Sequence, residues 1–202
     1  MPKKNHITLS QRLALLGLED RESELKNLNV KEGTELRLSS KDPRHAKRIA
    51  QIPVKSAREL KRLLGVPDGA IGQDTPPKAH PEGFVSTLNG LPFLPFPAVP
   101  LMDKETVAHL MSYVLSATQP QKRTVAEKKL FSRLDKAVRE AGIAILVVLA
   151  ADIHVEEGAT LVVDDSIQTL FGNHIILEEG ATIIMESTIS RIDCARIRFV
   201  QS

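Results

Sequence analysis

Two stretches decide the fold: residues 153–161 read IHVEEGATL, and residues 175–183 read IILEEGATI. The offset is 22 residues, and it extends to a third stretch at residues 197–199. Apolar and polar residues alternate in short segments beside each glycine, which is typical of strands with one buried face. A fixed repeat of such strands predicts coils that stack in parallel. The aligned columns are apolar throughout: Ile153, Ile175, Ile197; Val155, Leu177, Phe199; Val148, Leu170, Ile192; Leu161, Ile183; Val163, Met185.

The length and pattern of these coils resemble the right-handed parallel β-helix of pectate-lyase-like proteins, over residues 143–202 only. The resemblance implies a short parallel β-solenoid with about 22 residues per coil. It implies no activity, because no catalytic motif of that superfamily is present. A helix between Thr124 and Gly142, which starts with a T-x-x-E capping box, is expected to cap the first coil. A two-layer sandwich is the structural alternative.

The predicted fold class is α+β, with a helical N-terminal region in front of the solenoid. Residues 29–36 echo the EEGAT coil, but we expect a separate hairpin or strand there. Prolines and glycines are concentrated between residues 66 and 100 and exclude regular structure. The predicted segments are a small basic helical region at 1–65, a Pro/Gly-rich arm or linker at 66–100, two helices at 101–142, the second capping the solenoid, and the β-helix at 143–202.

Charge is unevenly distributed along the chain. Residues 143–202 carry nine acidic and three basic side chains, whereas residues 41–62 carry eight basic and two acidic ones. Asp42-Pro43 and Ser56 are typical helix starts, so residues 43–64 predict two short basic helices that resemble half of a helix-turn-helix. A solvated basic face, or a surface that meets the acidic solenoid, is the alternative. The candidate nucleic-acid contacts are Arg44, Lys47, Arg48, Lys55, Arg58, Lys61 and Arg62.

One column of the repeat contains polar side chains that could take part in acid–base catalysis. Asp152, His174 and Arg196 follow one another at the 22-residue offset, so Asp152 and His174 are expected within hydrogen-bond reach. A carboxylate beside an imidazole can tune a base, but a polar column on an outward face is the simpler interpretation. The histidines show no metal-ligand spacing, and a single cysteine, Cys194, excludes an internal disulfide. We therefore predict no metal and no cofactor.

The sequence favours a non-enzymatic assembly protein that forms homo-oligomers through its β-solenoid and its proline-rich arm. The last coil has no predicted cap, and an open coil exposes unpaired backbone that tends to pair with another copy. The alternatives are a carbohydrate-directed protein, either a polysaccharide-binding module or a relative of lyases and hydrolases, and a DNA-binding regulator. With no signal peptide and no apolar run of membrane length, we expect a cytoplasmic protein; export without a signal peptide and a place in a phage particle are the alternatives. The candidate assembly residues are Leu91, Phe93, Leu94, Phe96, Ile197 and Phe199.

Overall fold

The computed structural model describes residues 7–64, 103–115, 125–187 and 190–200. These residues form both helices and strands, so the chain belongs to the α+β class. It divides into two compact units, described separately below. One combines Met1–Ile52 with Leu146–Ser202, and the other is Pro53–Ile145.

The described residues form helices mainly in the first two thirds of the chain and six consecutive strands in the last third. The helices are α1 (Leu9–Leu16), α2 (Ala57–Leu63), α3 (Lys104–Leu115) and α4 (Val125–Glu140), with short 3₁₀ helices at Glu19–Glu24 and Ala46–Arg48. The strands are β1 (Leu28–Val30), β2 (Glu35–Leu38), β3 (Ile49–Pro53), β4 (Ala144–Leu149), β5 (Asp152–Val155), β6 (Thr160–Val163), β7 (Thr169–Leu177), β8 (Thr182–Met185) and β9 (Arg191–Phe199).

The first unit is built on two sheets of stacked strands. One sheet has the order β1-β5-β7-β4-β3, with β9 also paired to β7, and the other has the order β2-β6-β8. The predicted 22-residue register is confirmed, because Ile153 pairs with Ile175 and Ile175 pairs with Ile197 in parallel strands. The same offset joins β6 to β8. The curled sheet is a half-barrel.

The core of this unit lies between the inner faces of the strands. Each aligned column contributes one inward side chain per strand, so like residues pack on like residues. Ile167 fills the turn between β6 and β7, and Ala159 fills the turn between β5 and β6. The buried cluster consists of Leu28, Val30, Leu38, Val148, Ala150, Ile153, Val155, Ala159, Leu161, Val163, Ile167, Leu170 and Ile175.

The strands β1 and β2 extend this stack. The sequence predicts a hairpin or strand separate from the repeat at residues 29–36; strands are present there, but the expectation that they stand apart from the repeat is wrong. β1 pairs in parallel with β5, and β2 pairs in parallel with β6. The turn between them repeats the turn between β5 and β6, since Gly33 and Gly158 have φ values of 61° and 60°. The Gly33 N–H donates to the Glu157 carbonyl at 2.9 Å, which joins the two turns. Glycine is favoured at both positions because this backbone region is strained for other residues.

The first of the two predicted basic helices is also absent. The Asp42 carboxylate accepts a hydrogen bond from the Arg44 N–H at 2.9 Å, which closes a turn in place of a helix start. Residues beyond the short 3₁₀ helix form β3, which buries Ala50 and Ile52. The sheet therefore overrides the helical signal of Asp42-Pro43. A helix-turn-helix at residues 43–64 is excluded by this strand.

The second predicted basic helix is confirmed as α2, in the second unit. Ser56 is its N-cap residue, and its Oγ accepts from the Glu59 N–H at 3.1 Å. The Ala57 N–H donates to the Asp135 carboxylate of α4 at 2.9 Å. This bond ties the start of α2 to α4, because the first N–H groups of a helix have no partner within it.

Helices α3 and α4 complete the second unit. Asp103 caps the start of α3, since its carboxylate accepts from the Thr106 N–H at 2.8 Å, and α3 and α4 confirm the two helices predicted at residues 101–142. The rings of Tyr113 and Phe131 meet edge to face with centroids 4.5 Å apart. Gly142, with φ 60°, follows the end of α4 as predicted. Thr124 lies outside the described residues, and the role of α4 as a cap stays a prediction.

Candidate functional site

The interior of the half-barrel is uncovered at β9. Ile153 and Ile175 are 0% exposed, whereas Ile197, the next residue of the same column, is 45% exposed. Ile192 and Phe199 on the same strand are 41% and 77% exposed. β9 pairs with β7 along one edge, and no other described strand pairs with it. This edge therefore presents apolar side chains together with a row of backbone groups that pair with no other described strand.

The side chains of β9 change face near the middle of the strand. Ile192, Cys194, Ile197 and Phe199 continue columns of the core and point inward with them. The spacing grows from two residues to three between Cys194 and Ile197, where the register with β7 is interrupted at Ala195. β9 therefore has two arms, one on each side of Ala195 and distinct from the proline-rich arm, and both carry apolar side chains on the inner face of the sheet.

Only two of the candidate assembly residues can be located. Ile197 and Phe199 lie on this open edge. The other four candidates lie outside the described residues: Leu91, Phe93, Leu94 and Phe96.

A second feature of the first unit is a concave basic surface, the basic pocket, with a volume of about 580 Å³. Sequence reasoning selected three of its cationic residues, Arg44, Lys47 and Arg48, from the charge density of residues 41–62. It missed Arg21 and Lys26, because they lie in a segment of mixed charge that the sequence does not link to residues 41–62. The pocket is lined by Arg21, Glu24, Leu25, Lys26, Arg44, Lys47, Arg48 and Leu149.

Two arginines of the basic pocket join its two segments through backbone carbonyls. The Arg48 Nη1 donates to the Lys26 carbonyl at 2.8 Å, and its Nη2 donates to the Asn27 carbonyl at 2.7 Å. In the opposite direction, the Arg21 Nη2 donates to the Lys47 carbonyl at 3.2 Å. These bonds hold residues 21–27 and 44–48 together before any ligand arrives.

The positive charge of the basic pocket is only partly compensated. Arg21 pairs with Glu24 at 2.5 Å, and Arg44 pairs with Asp42 at 2.7 Å. The side-chain and backbone hydrogen bonds from Arg44 lower the pKa of Asp42 to about 2. The Arg48 guanidinium donates to two backbone carbonyls, which are neutral and do not compensate its charge. Across the described residues, Lys26 and Lys47 have no carboxylate partner.

The remaining nucleic-acid candidates, Lys55, Arg58, Lys61 and Arg62, belong to the second unit. Lys61 is 1% exposed, and its Nζ lies 4.7 Å from the centre of the Tyr113 ring, so it cannot reach a phosphate. Its selection was wrong, because the sequence does not distinguish a buried lysine of α2 from an exposed one. Arg62 lies 3.8 Å from the Glu59 carboxylate, and Lys55 and Arg58 are exposed.

The predicted column of Asp152, His174 and Arg196 is confirmed as neighbouring positions on β5, β7 and β9. The His174 Nδ1 lies 3.0 Å from the Asp152 Oδ1, which also accepts from the His174 N–H at 3.1 Å. A second pair of the same type joins His154 to Glu178 at 2.7 Å. Two such pairs on neighbouring strands are typical of cross-strand stabilisation, and both are partly exposed.

Two further features of the described residues bear on chemistry: the thiol of Cys194 and the placement of potential metal ligands. Burial raises the pKa of the Cys194 thiol, so the thiolate that would act as a nucleophile is disfavoured. Within the described ranges, no three His, Cys, Asp or Glu side chains are placed to hold a metal ion. None of the helices in the same ranges is both long and apolar enough to cross a membrane.

Comparison with known proteins finds no matching family model, no similar curated protein and no similar solved structure. The two surfaces described above, the open edge of β9 and the basic pocket, therefore carry the functional argument.

Proposed function

We propose that this protein is a structural protein that self-associates, and that its half-barrel is a short parallel β-solenoid joined end to end with a second copy. The observation that carries the proposal is the increase in solvent exposure along one column of aligned side chains. Ile153 and Ile175 are fully buried, while Ile197 is nearly half exposed. A further strand laid on β9 would bury this side chain and pair the free backbone groups.

A second copy of β9 fits this edge. Two identical edges related by a twofold axis pair in antiparallel fashion. We place the twofold axis between Ala195 and Arg196. Ile192 of one copy then lies opposite Phe199 of the other copy, and Cys194 lies opposite Ile197. The change of face near Ala195 permits this register, since both arms of each strand then keep their apolar side chains inward.

The charges of β9 are compatible with the same register. Asp193 of one copy lies opposite Arg198 of the other, and Arg196 lies opposite Ala195. Arg191 of one copy lies opposite Val200 of the other. No two like charges are directly opposed, which removes a common cost of edge pairing. Burial of each exposed apolar side chain on β9 is expected to contribute about 1–2 kcal/mol.

The alternatives have less support. A DNA-binding regulator needed two consecutive basic helices, but residues 49–53 form a strand. A carbohydrate-directed protein needed a groove with converging carboxylates. In the described residues Glu186 is paired with Arg37, and Asp164 accepts from the Ser166 hydroxyl, so these carboxylates already have partners.

The test is the mass in solution, measured by light scattering over a tenfold range of concentration. We expect a concentration-dependent dimer for the parent chain, and a monomer for Phe199→Asp and for Ile197→Asp. A charge at either position would be desolvated without a partner at the joint. The matched control is Ile7→Asp, which changes an exposed isoleucine that lies outside β9.

The outcome that contradicts the proposal is a parent chain that is monomeric at every concentration. A dimer that persists in both β9 variants would also contradict it, because the contact would then lie elsewhere. Circular dichroism of each variant establishes that its fold is retained, which is expected because both side chains are already exposed to solvent.

A further inference from the structure

We infer that the basic pocket binds a small anion that carries two or more phosphate groups. The pocket brings five cationic side chains and one carboxylate to a single concave surface of about 580 Å³. This site is separate from the open edge of β9, and the inference does not depend on self-association.

The number of charges points to more than one phosphate group. Arg21 and Arg44 each have a carboxylate partner, at 2.5 and 2.7 Å. Lys26, Lys47 and Arg48 have none among the described residues that line or adjoin the pocket. Three uncompensated cations match an anion with about three charges better than a single carboxylate.

Hydrogen bonds to backbone carbonyls hold these cations close together. The two lysines lie on different segments, and an arginine of the opposite segment binds the backbone carbonyl of each one. Arg48 binds the Lys26 carbonyl, and Arg21 binds the Lys47 carbonyl. Like charges repel, so this reciprocal arrangement is typical of a site organised in advance for a negative ligand.

Size and lining favour a small molecule over a nucleic acid. The volume lies in the range of small-molecule pockets, about 300–1,000 Å³. Leu25 and Leu149 add an apolar wall, and the lining holds no aromatic side chain on which a base could stack. An extended nucleic-acid strand would need a continuous basic surface. Lys61, one of the residues predicted to form such a surface, is buried.

The experiment is calorimetric titration of the full chain with inorganic tripolyphosphate. We expect binding that weakens as salt is added, and orthophosphate should bind at least about tenfold more weakly because it carries fewer charges. The double variant Lys26→Glu/Lys47→Glu should weaken tripolyphosphate at least about tenfold. The matched control is Lys41→Glu, an exposed lysine near the same segment that does not line the pocket.

Two further titrations identify the source of the phosphate chemistry. ATP that binds as tightly as tripolyphosphate indicates a nucleotide, and much weaker ATP binding indicates an inorganic polyphosphate. Three results would overturn the inference: no binding of tripolyphosphate, equal losses for the double variant and Lys41→Glu, or an oligonucleotide that binds more tightly with each added nucleotide. Thermal unfolding checks both variants, and unchanged melting is expected because neither pocket lysine has a side-chain partner among the described residues.

Discussion

The column formed by Ile153, Ile175 and Ile197 allows the same substitution to be made at two levels of burial, twice in the core and once at the exposed edge. Replacing isoleucine by alanine removes three carbon atoms, which is worth about 2.4 kcal/mol of transfer free energy at full burial. At Ile153 and Ile175 a cavity is added, so the expected loss in the free energy of unfolding is about 3–4 kcal/mol. Ile197 is 45% exposed, and its loss should be about 1 kcal/mol, with no closed cavity.

The assay is urea unfolding followed by circular dichroism, at a low protein concentration and again at a tenfold higher one. At the low concentration we expect Ile175→Ala and Ile153→Ala to lower the free energy of unfolding much more than Ile197→Ala does. At the higher concentration the cost of Ile197→Ala should increase, because self-association covers that residue. Equal costs for Ile175→Ala and Ile197→Ala at the low concentration would refute the open edge.

Three shorter predictions test other parts of the first unit. Gly158→Ala should cost about 1–2 kcal/mol in urea unfolding, because φ 60° is strained for alanine. Carbon-detected NMR should give Asp42 a pKa of about 2. Its depressed pKa means that the carboxylate stabilises the fold above the unfolded value and that this contribution is lost as the pH falls towards about 2. Arg44→Ala should raise that pKa towards its usual value. Arg12→Ala should cost about 2 kcal/mol in the same unfolding assay, because Asp193, 2.6 Å away, would lose its buried cationic partner but keep Arg191.

The register of β5, β7 and β9 could be predicted because one offset aligns several apolar columns at once. A sheet that buries one face forces like residues to recur at the coil length, and a shift by one residue would expose the whole set. Ile153, Ile175 and Ile197 carry this signal by themselves. Their differing exposure could not be read from the columns, since it depends on what lies beyond the last strand.

The strands β1 and β2 could have been predicted with a different comparison. An offset of 125 residues places Leu28 on Ile153, Gly33 on Gly158 and Leu36 on Leu161. A search at the coil length does not find this match, because 125 is not a multiple of 22. The pattern of residues was present, but the long insertion before β4 concealed the repeat.

The basic pocket could be predicted only in part. Arg44, Lys47 and Arg48 stand out by charge density, whereas Arg21 and Lys26 lie in a segment of mixed charge. Their approach depends on hydrogen bonds from guanidinium groups to backbone carbonyls, and any residue type supplies a carbonyl. Tertiary contacts of this kind leave no pattern in the side-chain sequence.

The position of β1 and β2 in the stack sets the order of events during synthesis. The two strands leave the ribosome about 120 residues before β5 and β6, and at about 5–20 residues per second they wait on the order of 6–25 seconds for their partners. During that time their apolar side chains have no surface on which to pack, so chaperones or foreign strand edges can capture them. Closing so long a loop is also slow. We expect β4 to β8 to form first and the earliest strands to dock last.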